Sequence, residues 1–368
     1  MKNKFIFMAV FSAILLTSCG LGQYGKSDTD AKVSFKVPDW GESHWIDIPE
    51  NPLIGNEYTD PGMAIGDPQL LTPGDFDGKW HVFFHGFGFG PGATTFFHQI
   101  SEDGIHWQEV SRQNGEVGIQ YVFCDGDRWI QYYTCTTSKT DKPELKKYHN
   151  VIRARTTRDF INWTEPVDII YPETPAERDG YNVQARNPCV ILLPNGRYRM
   201  YYSAGTVYLR DAGYEEPKYI FCAESDNPLG PFKKLGEPIL SPDVNLPYRN
   251  YGCGGFKVFG YGDGYVAFYN PIYIDSNQKS RSEIRMLVSD DGLSWKEADG
   301  NPVITPNSSY PWRSAIVYQL DVINHDDALW MYFNAREGWR GGIERIGACR
   351  LPLNGATPVR KLQKKFKL

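Results

Sequence analysis

The chain has 368 residues, enough to bury one large core or two small ones, and its formal net charge of −5 gives no electrostatic reason to expect nucleic acid binding. Aromatic residues make up 14% of it, Gly and Pro are plentiful, and long amphipathic helical patterns are hard to find. Many short strands and tight turns fit this composition better than helices.

In chain order the first element is a targeting segment. Lys2 and Lys4 supply a positive region, and Phe5 to Leu16 is an apolar stretch too short for an ordinary membrane span. Leu16-Thr17-Ser18-Cys19 then resembles a bacterial lipobox. This predicts a signal peptide over residues 1–18, lipid attachment at Cys19, a polar tether through residue 40 and a single domain over 41–368. The membrane is then a partner through the lipid anchor only, and the protein sits in the bacterial envelope. A plain secretory signal that happens to hold a Cys is the alternative. The other cysteines are scattered and match no zinc motif; Cys124 and Cys135 are placed to face each other across a hairpin.

Beyond residue 60 one phrase recurs four times: Ser101-Glu102-Asp103-Gly104-Ile105-His106-Trp107, Thr157-Arg158-Asp159-Phe160-Ile161-Asn162-Trp163, Ser225-Asp226-Asn227-Pro228-Leu229-Gly230-Pro231-Phe232 and Ser289-Asp290-Asp291-Gly292-Leu293-Ser294-Trp295. Each copy is a polar turn leading to an aromatic. The copies are spaced by roughly 55–70 residues, a period that suggests a propeller or similar array. Between them lie paired β-like runs joined by turns rich in Asp, Asn and Gly: Asp67–Leu71 with Trp80–His85, Gly118–Phe123 with Trp129–Tyr133, Asn187–Leu192 with Tyr198–Tyr202, Gly255–Phe259 with Tyr265–Tyr269, and Ser314–Tyr318 with Leu329–Phe333. The expected fold class is all-β, a five-bladed β-propeller of four-stranded antiparallel blades around a central channel. The fifth repeat lacks the recurring phrase, so its outer strand is expected from the segment His44 to Ile48, which would close the ring.

That topology sorts the polar residues. Starts of innermost strands, and ends of the second strands, face one mouth of the channel. This selects Asp67, Glu116 and Glu337 as candidate catalytic carboxylates, and His85, Arg186, Asn187, Arg249, Tyr251, Trp312, Arg313, Asn334 and Arg336 as candidate substrate contacts. Carboxylates can do the acid–base work of glycoside cleavage, while arginines, amides and aromatic faces suit sugar hydroxyls and rings. Asp67 opens a strand in Gly66-Asp67-Pro68, and its aligned position in the third repeat, Arg186-Asn187-Pro188, is also polar and pre-proline. Asp125, Asp127 and Asp263 fall at the opposite end as turn formers. Gly86 to Gly92 and the insertion from Val207 to Pro217, which holds Arg210, Asp211, Glu215 and Glu216, are read as rim loops. No pair of histidines has transition-metal spacing, and no nucleotide or redox cofactor is expected.

At these residues the chain resembles the five-bladed propeller glycoside hydrolases, most of all glycoside hydrolase family 43 and relatives such as families 32, 117 and 130. The likeness runs from about Pro52 to Leu353 and rests on Asp67-Pro68, the recurring turn-and-aromatic phrase and Asn195-Gly196-Arg197-Tyr198-Arg199-Met200-Tyr201-Tyr202-Ser203. It implies an exo-acting glycosidase on fragments of plant or microbial polysaccharide, with Asp67 as general base. It also implies a Glu on a later blade as acid and a further Asp that tunes the acid; some relatives hold a calcium or other ion in the channel. The last two catalytic positions depart from the family. Asn187, an amide, stands where the tuning Asp would be, and the usual acid motif is absent, Glu116-Val117-Gly118 being its nearest echo. Two alternatives therefore stand beside a glycosidase: a glycan-binding surface lipoprotein without catalysis, and a phosphorylase in which Arg186, Arg249 and Arg313 hold phosphate.

Overall fold

A computed structural model of the protein describes residues 33–89 and 94–367. The expected signal peptide, Cys19 and residues 90–92 of the glycine-rich rim loop lie outside the described residues. No helix among the described residues is long and apolar enough to cross a membrane.

The architecture is almost wholly antiparallel sheet. Strand β1 (Ile46–Asp47) comes first, followed by β2 (Ala64–Leu71), β3 (Trp80–Phe87), β4 (Thr94–Ser101) and β5 (Gln108–Gly115), which pair in sequence. A second sheet holds β6 (Val117–Cys124), β7 (Trp129–Thr136), β8 (Asn150–Thr157) and β9 (Val167–Ile170). The third holds β10 (Ala185–Leu192), β11 (Tyr198–Leu209), β12 (Tyr214–Ser225) and β13 (Lys233–Lys234). The fourth contains β14 (Phe256–Tyr261) and β15 (Gly264–Tyr269), and then, after the hairpin β16 (Ile272–Ile274) and β17 (Ser280–Ser282), β18 (Arg285–Ser289) and β19 (Lys296–Glu297). The last is built from β20 (Ile316–His325), β21 (Ala328–Arg336) and β22 (Glu344–Pro352). Its outer strand is β1, with Ile46 opposite Arg350 and Asp47 opposite Cys349. The segment His44 to Ile48 thus supplies the missing strand, as the sequence suggests.

We read each four-stranded group as a blade. The first strands touch one another in cyclic order, β2 to β6, β10, β14, β20 and back to β2, which is the arrangement of a β-propeller. A single parallel pairing, Ala64 with Glu344, ties the first group to the last.

The recurring phrase is a turn that carries its own hydrogen bonds. The Ser101, Thr157 and Ser289 hydroxyls accept from the N–H of Gly104, Phe160 and Gly292 at 2.9, 3.0 and 2.8 Å. Asp103, Asp159 and Asp291 then accept from Ile105, Ile161 and Leu293 at 2.8, 2.9 and 2.7 Å. In the third copy Pro228 has no N–H to give, so Ser225 accepts from Asn227 at 3.1 Å, while Asn227 accepts from Leu229 at 2.9 Å. The aromatic that follows each turn packs into a core cluster between sheets. Interlocking side chains from adjacent groups form these clusters, so the domain has no single central core.

Two expectations change. Residues 33–40, expected in the tether, pack on the domain: Phe35 and Trp40 set their rings 5.8 and 5.6 Å from Tyr261. Cys124 and Cys135 do not face each other. Register puts Cys124 opposite Trp129 and Cys135 opposite Val117, at the two ends of the β6–β7 pair. Beyond β22 the chain stays on the domain. It crosses the end of the propeller remote from the mouth: Arg360 pairs with Gly260, Leu362 accepts from Leu192, and Lys364 and Lys367 donate to Cys124 and Gly126. Lys361 Nζ reaches inward to Leu70 O and to the buried Asp321, both at 2.7 Å.

Candidate active site

A cavity of about 790 Å³ opens where the innermost strands begin. That is ample for one or two sugar units. Asp67, His85, Arg186, Asn187, Asn334 and Arg336 all line it, together with Tyr208, Tyr214, Glu215, Glu216, Tyr318 and Glu344.

Asp67 owes its position to a local break in β2. Pairing with β3 slips between Gly66 and Gln69, and Asp67 has φ +54°. The same slip recurs in β10 between Arg186 and Cys189, where Asn187 has φ +55°. Asp and Asn tolerate this left-handed backbone better than most residues, yet each costs on the order of 1–3 kcal/mol, a strain typical of sites the surrounding structure fixes for use. Pro68 and Pro188 follow, so neither bulge needs the N–H that a regular ladder would use.

The bulge aims the Asp67 carboxylate at the cavity, where neighbours fix it. Asn187 Nδ2 donates to Oδ1 at 3.2 Å, His85 Nδ1 stands 3.3 Å from Oδ2, and the Asp67 N–H donates to Asn334 Oδ1 at 3.0 Å. Burial pulls the His85 pKa below its ordinary value despite the Asp67 charge, so this imidazole is neutral near pH 7. Asn334 in turn donates through Nδ2 to Glu344 Oε1. Gly66 permits this approach: a Cβ there would lie 2.6 Å from Asn334 Nδ2 and 3.0 Å from Glu344 Oε1.

Two glutamates complete the acid set. Glu344 opens β22, contacts Arg336 at 3.5 Å, and burial raises its pKa to about 8, with Arg336 and Asn334 opposing and Glu216 and Asp67 adding. Glu216 lies on the long β11–β12 hairpin, opposite Val207. Burial raises its pKa to about 7, Arg186 opposing and Asp67 adding, and its side chain forms no hydrogen bond or ion pair among the described residues. Glu215 beside it is committed instead to Asn182 and Gln184 at 2.7 and 3.2 Å. The Arg186 guanidinium donates to the Glu215 carbonyl at 3.0 Å and keeps Nε without a partner, as is Asn187 Oδ1. Tyr214 and Tyr318 meet hydroxyl to hydroxyl on the wall, with Arg336 5.0 Å from the Tyr214 ring.

The structure sets the remaining predicted residues apart from this cavity. Glu116 accepts from Tyr133 Oη and Arg153 Nη1, both at 2.7 Å, so it is consumed within its own sheet. Glu337 pairs with Arg345 at 2.6 Å on the surface, because the chain turns outward once β21 ends at Arg336. Arg249 is buried toward Glu297 at 3.9 Å. Arg313 binds Asp47 at 3.2 Å and so holds the closing strand β1. Trp312 stacks on Phe333, ring centroids 5.4 Å apart, and covers Gly347. Tyr251 packs beneath the β11–β12 hairpin and donates to the Tyr208 carbonyl at 3.1 Å. Sequence reasoning placed Glu216 in a rim insertion without a role and passed over Glu344. The signal for Glu216 was available: an aromatic-flanked insertion with paired glutamates, Glu215 and Glu216, at the mouth end of one repeat.

Among the described residues no three His, Cys, Asp or Glu side chains are grouped to hold a metal ion.

No family model and no curated protein matches the chain. Solved structures do. A glycosyl hydrolase from Bacteroides ovatus is 14% identical with a TM-score of 0.59, over 89% of this chain and 98% of that one. A structure from the GH130 family of mannoside phosphorylases, described as containing glycoside hydrolases that target β-1,2-mannosidic linkages in Candida mannan, is 15% identical with a TM-score of 0.58, over 89% and 98%. A thermostable family-43 glycoside hydrolase is 13% identical with a TM-score of 0.54, over 84% and 98%. The chain shares their fold over nearly its whole described length. At these identities the fold is what the likeness shows.

Proposed function

We propose that the protein hydrolyses a terminal glycosidic bond of an oligosaccharide, with Asp67 as general base and Glu216 as general acid. The observation that carries this is the contrast between carboxyls around one cavity. Asp67 is turned into the cavity by its bulge, accepts from the Asn187 amide at 3.2 Å and sets its other oxygen 3.3 Å from His85. Glu216 is unpartnered and raised to about 7, so it still carries a proton near neutral pH. A carboxyl that keeps its proton, set in one cavity with a second carboxyl free to take one from water, is the pair such cleavage requires. The proton of the attacking water passes to Asp67, while Glu216 gives its proton to the leaving oxygen. Asn187 then has a role as an amide: it donates to the base. Glu344, bound to Asn334 and Arg336, positions the Asn334 that holds the Asp67 backbone. A base acting on water predicts inversion. An envelope location, carried by residues 1–19, would place the enzyme where oligosaccharides arrive.

The test is sugar release by the soluble domain from a panel of glycosides and polysaccharide digests, with Asp67→Asn as control. Release that the substitution abolishes supports the reading; binding without release across the panel transfers the protein to the glycan-binding alternative. Arg186 and Arg336 in the same cavity favour one second reading, phosphorolysis, in which turnover depends on added phosphate.

A further inference from the structure

We infer that Tyr181 and Tyr208 form an aromatic platform outside the cavity that stacks on a second sugar unit, on the leaving-group side of the bond. This rests on the reading above and extends it to the substrate, which would be an oligosaccharide rather than a single glycoside.

Tyr181 exposes 75% of its surface and Tyr208 39%, yet their rings lie 5.7 Å apart at 31°, as one continuous tilted surface. Exposed aromatics are ordinary when scattered; an adjacent pair at the lip of a polar cavity is not. Tyr208 lines the cavity, and so does Asn182, next to Tyr181. The platform is therefore continuous with the site.

Its backbone is fixed. The Tyr181 N–H donates to Thr206 Oγ1 at 2.7 Å and the Thr206 N–H to Asp179 O at 2.8 Å. Gly180, at φ +110°, packs so closely that a Cβ would meet Thr206 O at 2.1 Å. Tyr251 Oη holds the Tyr208 carbonyl from below. A ring exposed to water on a backbone tied down this firmly loses little freedom when it takes a ligand, and the flat apolar face with a polar hydroxyl suits a sugar ring. The side follows from register. Tyr208 stands opposite Glu215, next to Glu216, on the same hairpin. The proposed acid serves the leaving oxygen, so the platform beside it lies toward the leaving group.

Titration calorimetry with Asp67→Asn protein tests this, using the methyl glycosides of mannose, xylose, arabinose and galactose and the corresponding tetrasaccharides. In at least one series the tetrasaccharide should bind about tenfold tighter than the monosaccharide, a difference readily resolved by calorimetry. Tyr181→Ala should remove that gain and leave the monosaccharide Kd unchanged, while Tyr181→Phe keeps it. A gain that survives Tyr181→Ala, or no gain in any series, overturns the platform. Failure of the wild-type protein to release sugar sinks the hydrolytic reading and leaves this binding result standing by itself.

Discussion

Replacing Glu216 by Gln separates the proposed acid from every other carboxyl in the cavity. At its ordinary value of 4.5 a glutamate would be protonated in about one molecule in 300 at pH 7; raised to about 7, roughly half the molecules carry the proton. Burial does most of this, and Arg186 limits it. The acid acts only when protonated, so the rate on an alkyl glycoside should fall as pH rises through about 7, about tenfold per unit well above it. Glu216→Gln should lower that rate by roughly 10²–10⁴, the range for a lost general acid, and flatten this limb. An activated dinitrophenyl glycoside needs no protonation of its leaving group, so its rate should change little. The assay is kcat/KM for both substrates between pH 5 and 9. An equal loss on both, or a limb that persists in the variant, refutes the assignment, and the same experiment on Glu344→Gln then decides whether the other glutamate holds the role. Arg186→Met adds a check of sign: loss of the positive charge should move the limb upward, by about 1–3 units if the charge lies within about 6 Å.

Asn187→Asp replaces the donor to Asp67 Oδ1 by a second acceptor, so kcat/KM at pH 7 should fall about tenfold or more, the worth of one hydrogen bond to a charged group. Glu116→Gln should leave kcat unchanged and lower the urea midpoint, because it loses a charged partner of the buried Arg153. Lys361→Met leaves Asp321 with only the uncharged donors Gln69, Leu70 and Val322; a cost of about 3 kcal/mol, typical of breaking a buried pair, should appear as a lower denaturation midpoint with turnover at the mouth preserved.

The parts of this fold that could be read from residue order are those whose interactions are local. The recurring turn is legible because Ser101 and Asp103 bond to N–H groups within three residues, and the same pattern returns at Thr157, Ser225 and Ser289. Asp67 and Asn187 are legible as a pair because each precedes a proline at the head of an inner strand. Glu344 is different. It gains its place through Ala64 and Asn334, and nothing near it in sequence marks that pairing. Glu116 fails in the opposite way. Its position at the start of β6 is right for the mouth, but Arg153, 37 residues on, draws it into the sheet. Arg313 likewise serves β1, a strand more than 260 residues earlier. Charged groups are the least predictable because a long side chain can choose between partners that only the finished fold brings near.

The sheet that joins Ile46–Asp47 to β20, β21 and β22 bears on how the domain forms during synthesis. Until Pro352 has been made, four groups of strands exist with two unsatisfied flanks, β2 on one side and β14 on the other. Pairing residue 46 with residue 350 is about as non-local as this chain allows, and such contacts are slow to form. Those flanks stay uncovered for most of translation, so the yield of folded protein is expected to fall, through association of incomplete chains, as the rate of synthesis is raised.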